Sequence, residues 1–78
     1  MPRFFFHLQE AEQRIQDDVG IELPDVQAAL DYAEQAARDI LSDEVRQGEV
    51  VDQESIQVID ESGALVSSLL VKSVVNFK

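Results

Sequence analysis

Three patterns of apolar and polar positions follow one another along the chain. Residues 3 to 8, Arg-Phe-Phe-Phe-His-Leu, are bulky and aromatic with no breaker among them, which predicts a strand at least partly covered on both faces. Gln9 to Arg14 are polar and weakly patterned, and read as a turn leading to a short second strand around Arg14 to Gln16. Asp17-Asp18-Val19-Gly20 adds turn chemistry, with Gly20 free to take a positive φ. Leu23-Pro24-Asp25 then marks a helix start. The proline biases Leu23 toward extended backbone, and the Asp25 carboxylate can accept from first-turn amides.

Beyond Asp25 the period changes. Val26, Ala29, Leu30, Ala33, Ala36, Ala37, Ile40 and Leu41 recur at spacings of three and four and define one apolar stripe, with Gln27, Asp31, Gln35, Arg38 and Ser42 opposite. Gly48, after Arg46 and Gln47, is the residue expected just past a carboxyl-terminal cap. The predicted helix covers about residues 25–47, roughly 33 Å, enough to span a small sheet. Ser55 to Asp60, a turn at Glu61-Ser62-Gly63, and Ala64 to Val71 read as a hairpin. The tail beyond Lys72 keeps Val74, Val75 and Phe77, and either extends the last strand or docks elsewhere.

The expected architecture is α+β, one domain over residues 1–78: a two-layer fold in order β-β-α-β-β, with one long helix across a small antiparallel sheet. The alanine-rich stripe lets the helix backbone approach closely a sheet whose phenylalanines supply the bulk. One helix covers only one sheet face, and the other is not fully polar: Phe5 lies behind Phe4 and Phe6, and alternation groups Val66 with Leu70 opposite Leu65, Leu69 and Val71. Phe5, His7, Val66 and Leu70 are therefore the candidate interface or ligand-contacting residues. Large uncovered apolar faces mark interaction sites, so a homodimer through this face, or a partner lying on it, is expected.

Composition narrows the classes further. The chain has 78 residues, close to the lower limit for one unstapled core, and no cysteine to form a disulfide or thiolate metal site. Small domains of this kind often gain stability by oligomerising. A formal charge of -10 repels phosphate backbones, which argues against direct nucleic-acid binding, and favours both solubility and encounter with a basic protein. No apolar run reaches the length of a membrane span, and the aromatic opening has neither the h-region nor the cleavage site of a signal peptide, so a cytoplasmic protein is expected.

Little of the chain points to catalysis. His7 is the single histidine, and a general base needs a positioned partner that no motif near it specifies, so it reads as a structural or interface residue. Glu10, Glu12, Asp17 and Asp18 gather at the first turn without the spacing of a calcium loop, and read as a solvated acidic turn. Glu44 interrupts the apolar stripe, and is expected to meet water where the helix has passed the sheet edge. No phosphate loop, zinc pattern or nucleophile elbow is present, and no catalytic, cofactor-binding or metal-binding residue is expected.

Met1-Pro-Arg-Phe-Phe-Phe-His-Leu, Asp18-Val-Gly-Ile-Glu-Leu-Pro-Asp25, the alanine-rich helix and the Asp60-Glu-Ser-Gly63 turn together resemble a family of short bacterial proteins of unknown function. That resemblance covers nearly the whole chain and implies a fold but no activity, cofactor or catalytic residue. The chain departs from the family pattern at Leu70-Val71, where Pro-Phe is common, and in its apolar tail. Size, acidity and the helix also give it a weaker similarity, by analogy only, to small antitoxin domains that sit on basic toxins.

The expected function is a non-enzymatic protein-interaction module, homodimeric and engaging a basic protein. The alternative is a small-ligand sensor with a pocket between helix and sheet or at a dimer seam. An enzyme using His7 ranks third.

Overall fold

A computed structural model describes residues 1–48 and 53–74. The central strand, β1 (Arg3–Gln9), carries two short strands on one edge, β2 (Arg14–Ile15) and β3 (Ile21–Glu22), and on its other edge β4 (Ser55–Asp60), which in turn pairs with β5 (Leu65–Leu70). All pairings are antiparallel. Between β3 and β4 the helix α1 (Val26–Gln47) lies across one face. The fold is α+β as expected, with one difference: the single short second strand is replaced by two.

The division follows from how the chain returns along β1. Ile15 and Arg14 pair with Leu8 and Gln9, and Ile21 and Glu22 pair with Phe4 and Arg3, so residues 16–20 must leave the ladder between them. Gly20 makes the re-entry possible at φ 73°, where a Cβ would sit 2.9 Å from each of Arg3 Cγ, Phe4 O and Phe5 Cε2. Any other residue would meet a backbone carbonyl as well as the left-handed φ penalty.

The helix ends are where the local chemistry places them. Asp25 is extended, and its Oδ1 accepts the Ala28 N–H at 2.8 Å; Gly48, at φ 79°, donates its N–H to the carbonyls of Glu44 and Val45. Together they satisfy groups that each helix end otherwise leaves without partners. The stripe buries Ala29, Ala33, Ala37 and Leu41 against Phe4, Ile56, Val58 and Val71. Val26 remains exposed at the first turn, and Tyr32, outside the stripe, lays its ring 4.7 Å from that of Phe6. Truncating a residue such as Ile56 to alanine in this core costs about 2–5 kcal/mol.

The hairpin turn is organised by Asp60, whose Oδ1 accepts from the Ser62 hydroxyl and N–H and from the Ala64 N–H. The Ser62 hydroxyl first, and then the Ala64 amide, hold the Asp60 carboxyl below its ordinary pKa. The last strand stops one residue earlier than expected. Val71 is fully buried and its N–H donates to the Glu54 carbonyl, beginning a 3₁₀ turn, Val71–Val74, that packs on α1. The start of the tail thus docks on the helix and does not extend the sheet; residues 75–78 lie outside the described residues.

Candidate interaction face

The sheet face away from the helix is read from the register. Phe5, Ile59 and Leu65 form one row across β1, β4 and β5; His7, Gln57 and Ser68 form the next; Gln9, Ser55 and Leu70 form the third. Apolar side chains thus gather at one end of this face, glutamine and serine run through its middle, and Leu70 stands at the outer corner. Leu65 is 59 % exposed and Leu70 39 %.

The four residues singled out from the sequence do not all meet here. Phe5, His7 and Leu70 share the outer face, but Val66 does not. A β-bulge in the β4–β5 ladder, at Val58 and Ile59, sets both Val66 and Ser67 against one residue of β4, and Val66 packs into the helix-side core with Leu69. The expected grouping of Val66 with Leu70 is therefore corrected: the extra residue reverses alternation within β5, and Leu65 replaces Val66 on the outer face.

His7 is 7 % exposed because the loop between β2 and β3 folds over it. Its Nδ1 accepts the Asp17 N–H at 2.9 Å, which assigns the ring hydrogen to Nε2. Asp17 in turn stands where β1 has no strand beside it. Its Oδ2 accepts the Phe6 N–H, and its Oδ1 accepts those of Val19 and Gly20. Burial works to raise the Asp17 pKa, but the hydrogen bonds from Gly20, Phe6 and Val19 outweigh it, and the pKa lies below its ordinary value. The arrangement closes the outer edge of β1 with a side chain. It gives His7 a backbone partner and leaves the Asp17 carboxylate engaged by amides, so the two do not form the oriented base of a catalytic dyad.

At the other end of the sheet, Glu54 precedes β4 and is 2 % exposed, with no hydrogen-bond partner for Oε1. Burial first, and then the neighbouring carboxyl groups of Glu44 and Glu10, push its pKa up to about 8. Glu44 does not simply meet water: it is half-buried and turned toward Glu54, because the helix still overlaps the start of β4. Neither the Glu54 cluster nor the Asp17 latch shows in local motifs, since each joins segments distant in sequence.

Two recesses flank these features. One of about 350 Å³ lies between helix and sheet, walled by Phe6, Leu8, Tyr32, Ala36, Ile40 and Ile56 with Asp17 at its rim. The other, about 250 Å³, opens on the outer face beside Phe5, His7 and Ile59. Among the described residues no group of three or more His, Asp or Glu side chains is placed to hold a metal ion, and no helix is long and apolar enough to cross a membrane.

Residues 3–72 match the family model described as Domain of unknown function (DUF6894). Neither the comparison with curated proteins nor that with solved structures finds a match.

Proposed function

We propose that this chain, which belongs to the DUF6894 family, is a non-enzymatic protein-interaction module that forms a homodimer and engages a basic protein. The observation that carries the reading is the outer side of β5: an uncharged edge strand with Leu65 and Leu70 exposed, on a body of net charge -10. Exposed strands without charge, proline or cover are pairing surfaces, and an acidic field speeds encounter with a basic partner. In this reading the protein is cytoplasmic, uses no cofactor, and does not bind nucleic acid directly. Affinity capture of the tagged protein, with the native mass of the eluted complex, tests it. A dimer carrying a stoichiometric basic protein is the expected result, and a strict monomer eluting alone would overturn it.

A second reading rests on the recess between helix and sheet. Its 350 Å³ falls within the range of small-molecule sites, and its walls are apolar with one carboxylate at the rim. A ligand sensor of this kind would show a shift in melting temperature with some member of a metabolite panel, lost in a Tyr32→Ala variant. No shift across a broad panel is the opposing result.

A further inference from the structure

We propose that the partner strand of β5 is β5 of a second copy, paired antiparallel about a two-fold axis through Ser68. This rests on the interaction-module reading and gives it a register. Two features carry it. The first is where the charge lies. All 16 acidic residues fall within residues 1–61, while residues 62–78 contain two lysines and no acid. Two copies each of charge -10 repel wherever carboxylates face one another, and β5 is the sheet edge whose own residues bring none; Glu34 of α1, which stands beside Ser67 and Leu69, is ion-paired with Arg38. The opposite edge carries Glu22 and the loop of Asp17 and Asp18, and is closed by the Asp17 latch.

The second feature is the symmetry of Leu65-Val66-Ser67-Ser68-Leu69-Leu70. A two-fold axis normal to a sheet keeps every residue on its own face, so it can pair only residues that share a face. In a regular strand Leu65 and Leu70 would lie on opposite faces and could not meet. The bulge changes this: Leu65, Ser68 and Leu70 all face outward, and the extra residue at Val66 leaves Leu65 two ladder steps from Ser68, as Leu70 is on the other side. An axis through Ser68 therefore places Ser68 opposite its copy, and each Leu65 opposite the Leu70 of the other chain. Both exposed leucines are covered by one operation, and Leu69 meets the Val66–Ser67 bulge on the helix side.

The absence of native cysteine makes the register testable by disulfide trapping. Directly opposed residues have Cα separations within the range a disulfide spans. Under mild oxidation, Ser68→Cys should cross-link to itself at least about ten-fold faster than Ile15→Cys on the opposite edge. Leu65→Cys and Leu70→Cys should cross-link when mixed but not singly, since like positions lie about 13 Å apart along the strand. The native mass of the unmodified chain is read in parallel. A dimer in which Ser68→Cys and the mixed pair fail to cross-link, or in which Ile15→Cys cross-links first, overturns this register and leaves the interaction module standing. A monomer at all concentrations overturns both.

Discussion

The two edges of the sheet are finished in opposite ways. The β1 edge is covered by two short strands, and where they leave a gap the Asp17 carboxylate takes the Phe6 amide, so the backbone there has its partners within the chain. The β5 edge is six residues long, carries no charge, and exposes Leu65 and Leu70. Proteins that remain single usually blunt such an edge with lysine, proline or a covering loop. Among the described residues, one edge of this molecule is closed with a glycine and a half-buried carboxylate and the other is left open, which is why the proposed assembly is assigned to the open side.

The sharpest way to break this comparison is to charge the open edge. Leu65→Lys with Leu70→Lys puts four lysines across a symmetric β5 pair. It should weaken dimerisation by about 10²–10³-fold, equivalent to roughly 3–4 kcal/mol, while the monomer's denaturant midpoint stays nearly unchanged. Analytical ultracentrifugation over a concentration series reads the first quantity and urea unfolding the second.

Opening the closed edge should affect stability, not assembly. Asp17→Ala removes the acceptor of three backbone amides and should cost about 2–3 kcal/mol in urea unfolding. Because the folded-state pKa of Asp17 is depressed, its contribution is fully present above the unfolded value and is lost as pH falls through the folded one. The gap between wild type and Asp17→Ala should therefore narrow on acidification below about pH 4. Gly20→Ala should cost about 1–3 kcal/mol on the same edge, through its φ and the contact with the Phe4 carbonyl.

Much of the frame was readable from residues alone. Asp25 and Gly48 bound the helix, alanine spacing marks its buried face, and Asp60 to Gly63 turns the hairpin, because each signal acts within a few residues of itself. What escaped is non-local. Ile21–Glu22 is too short to show a period, and becomes a strand only because β1 lies beside it. His7 meets Asp17 ten residues away with no motif linking them. Leu-Val-Ser-Ser-Leu-Leu is apolar on either alternation, so the bulge that sends Val66 inward and Leu65 outward leaves no mark in the composition.

An effect of opposite pH dependence lies away from both edges. Glu54, with a folded-state pKa near 8, binds a proton in the native state that the unfolded chain releases near its ordinary 4.5. The fold is therefore favoured at low pH by this group, and loses that stabilisation progressively as pH rises from about 4.5 to about 8. Glu54→Gln, which keeps the shape without the charge, should raise the melting temperature at about pH 9 and change it little at about pH 5. An equal effect at both would mean that the carboxyl is not held neutral.

The contrast between the edges is tested most directly by amide hydrogen exchange at two protein concentrations, one above and one below the dimer midpoint. The β5 amides that do not bond to β4 should be protected in the concentrated sample and exchange freely in the dilute one, while the Phe6 amide, held by Asp17, stays protected in both. Free exchange of the outward β5 amides at both concentrations, in a sample shown by its mass to be dimeric, would contradict assembly through this edge.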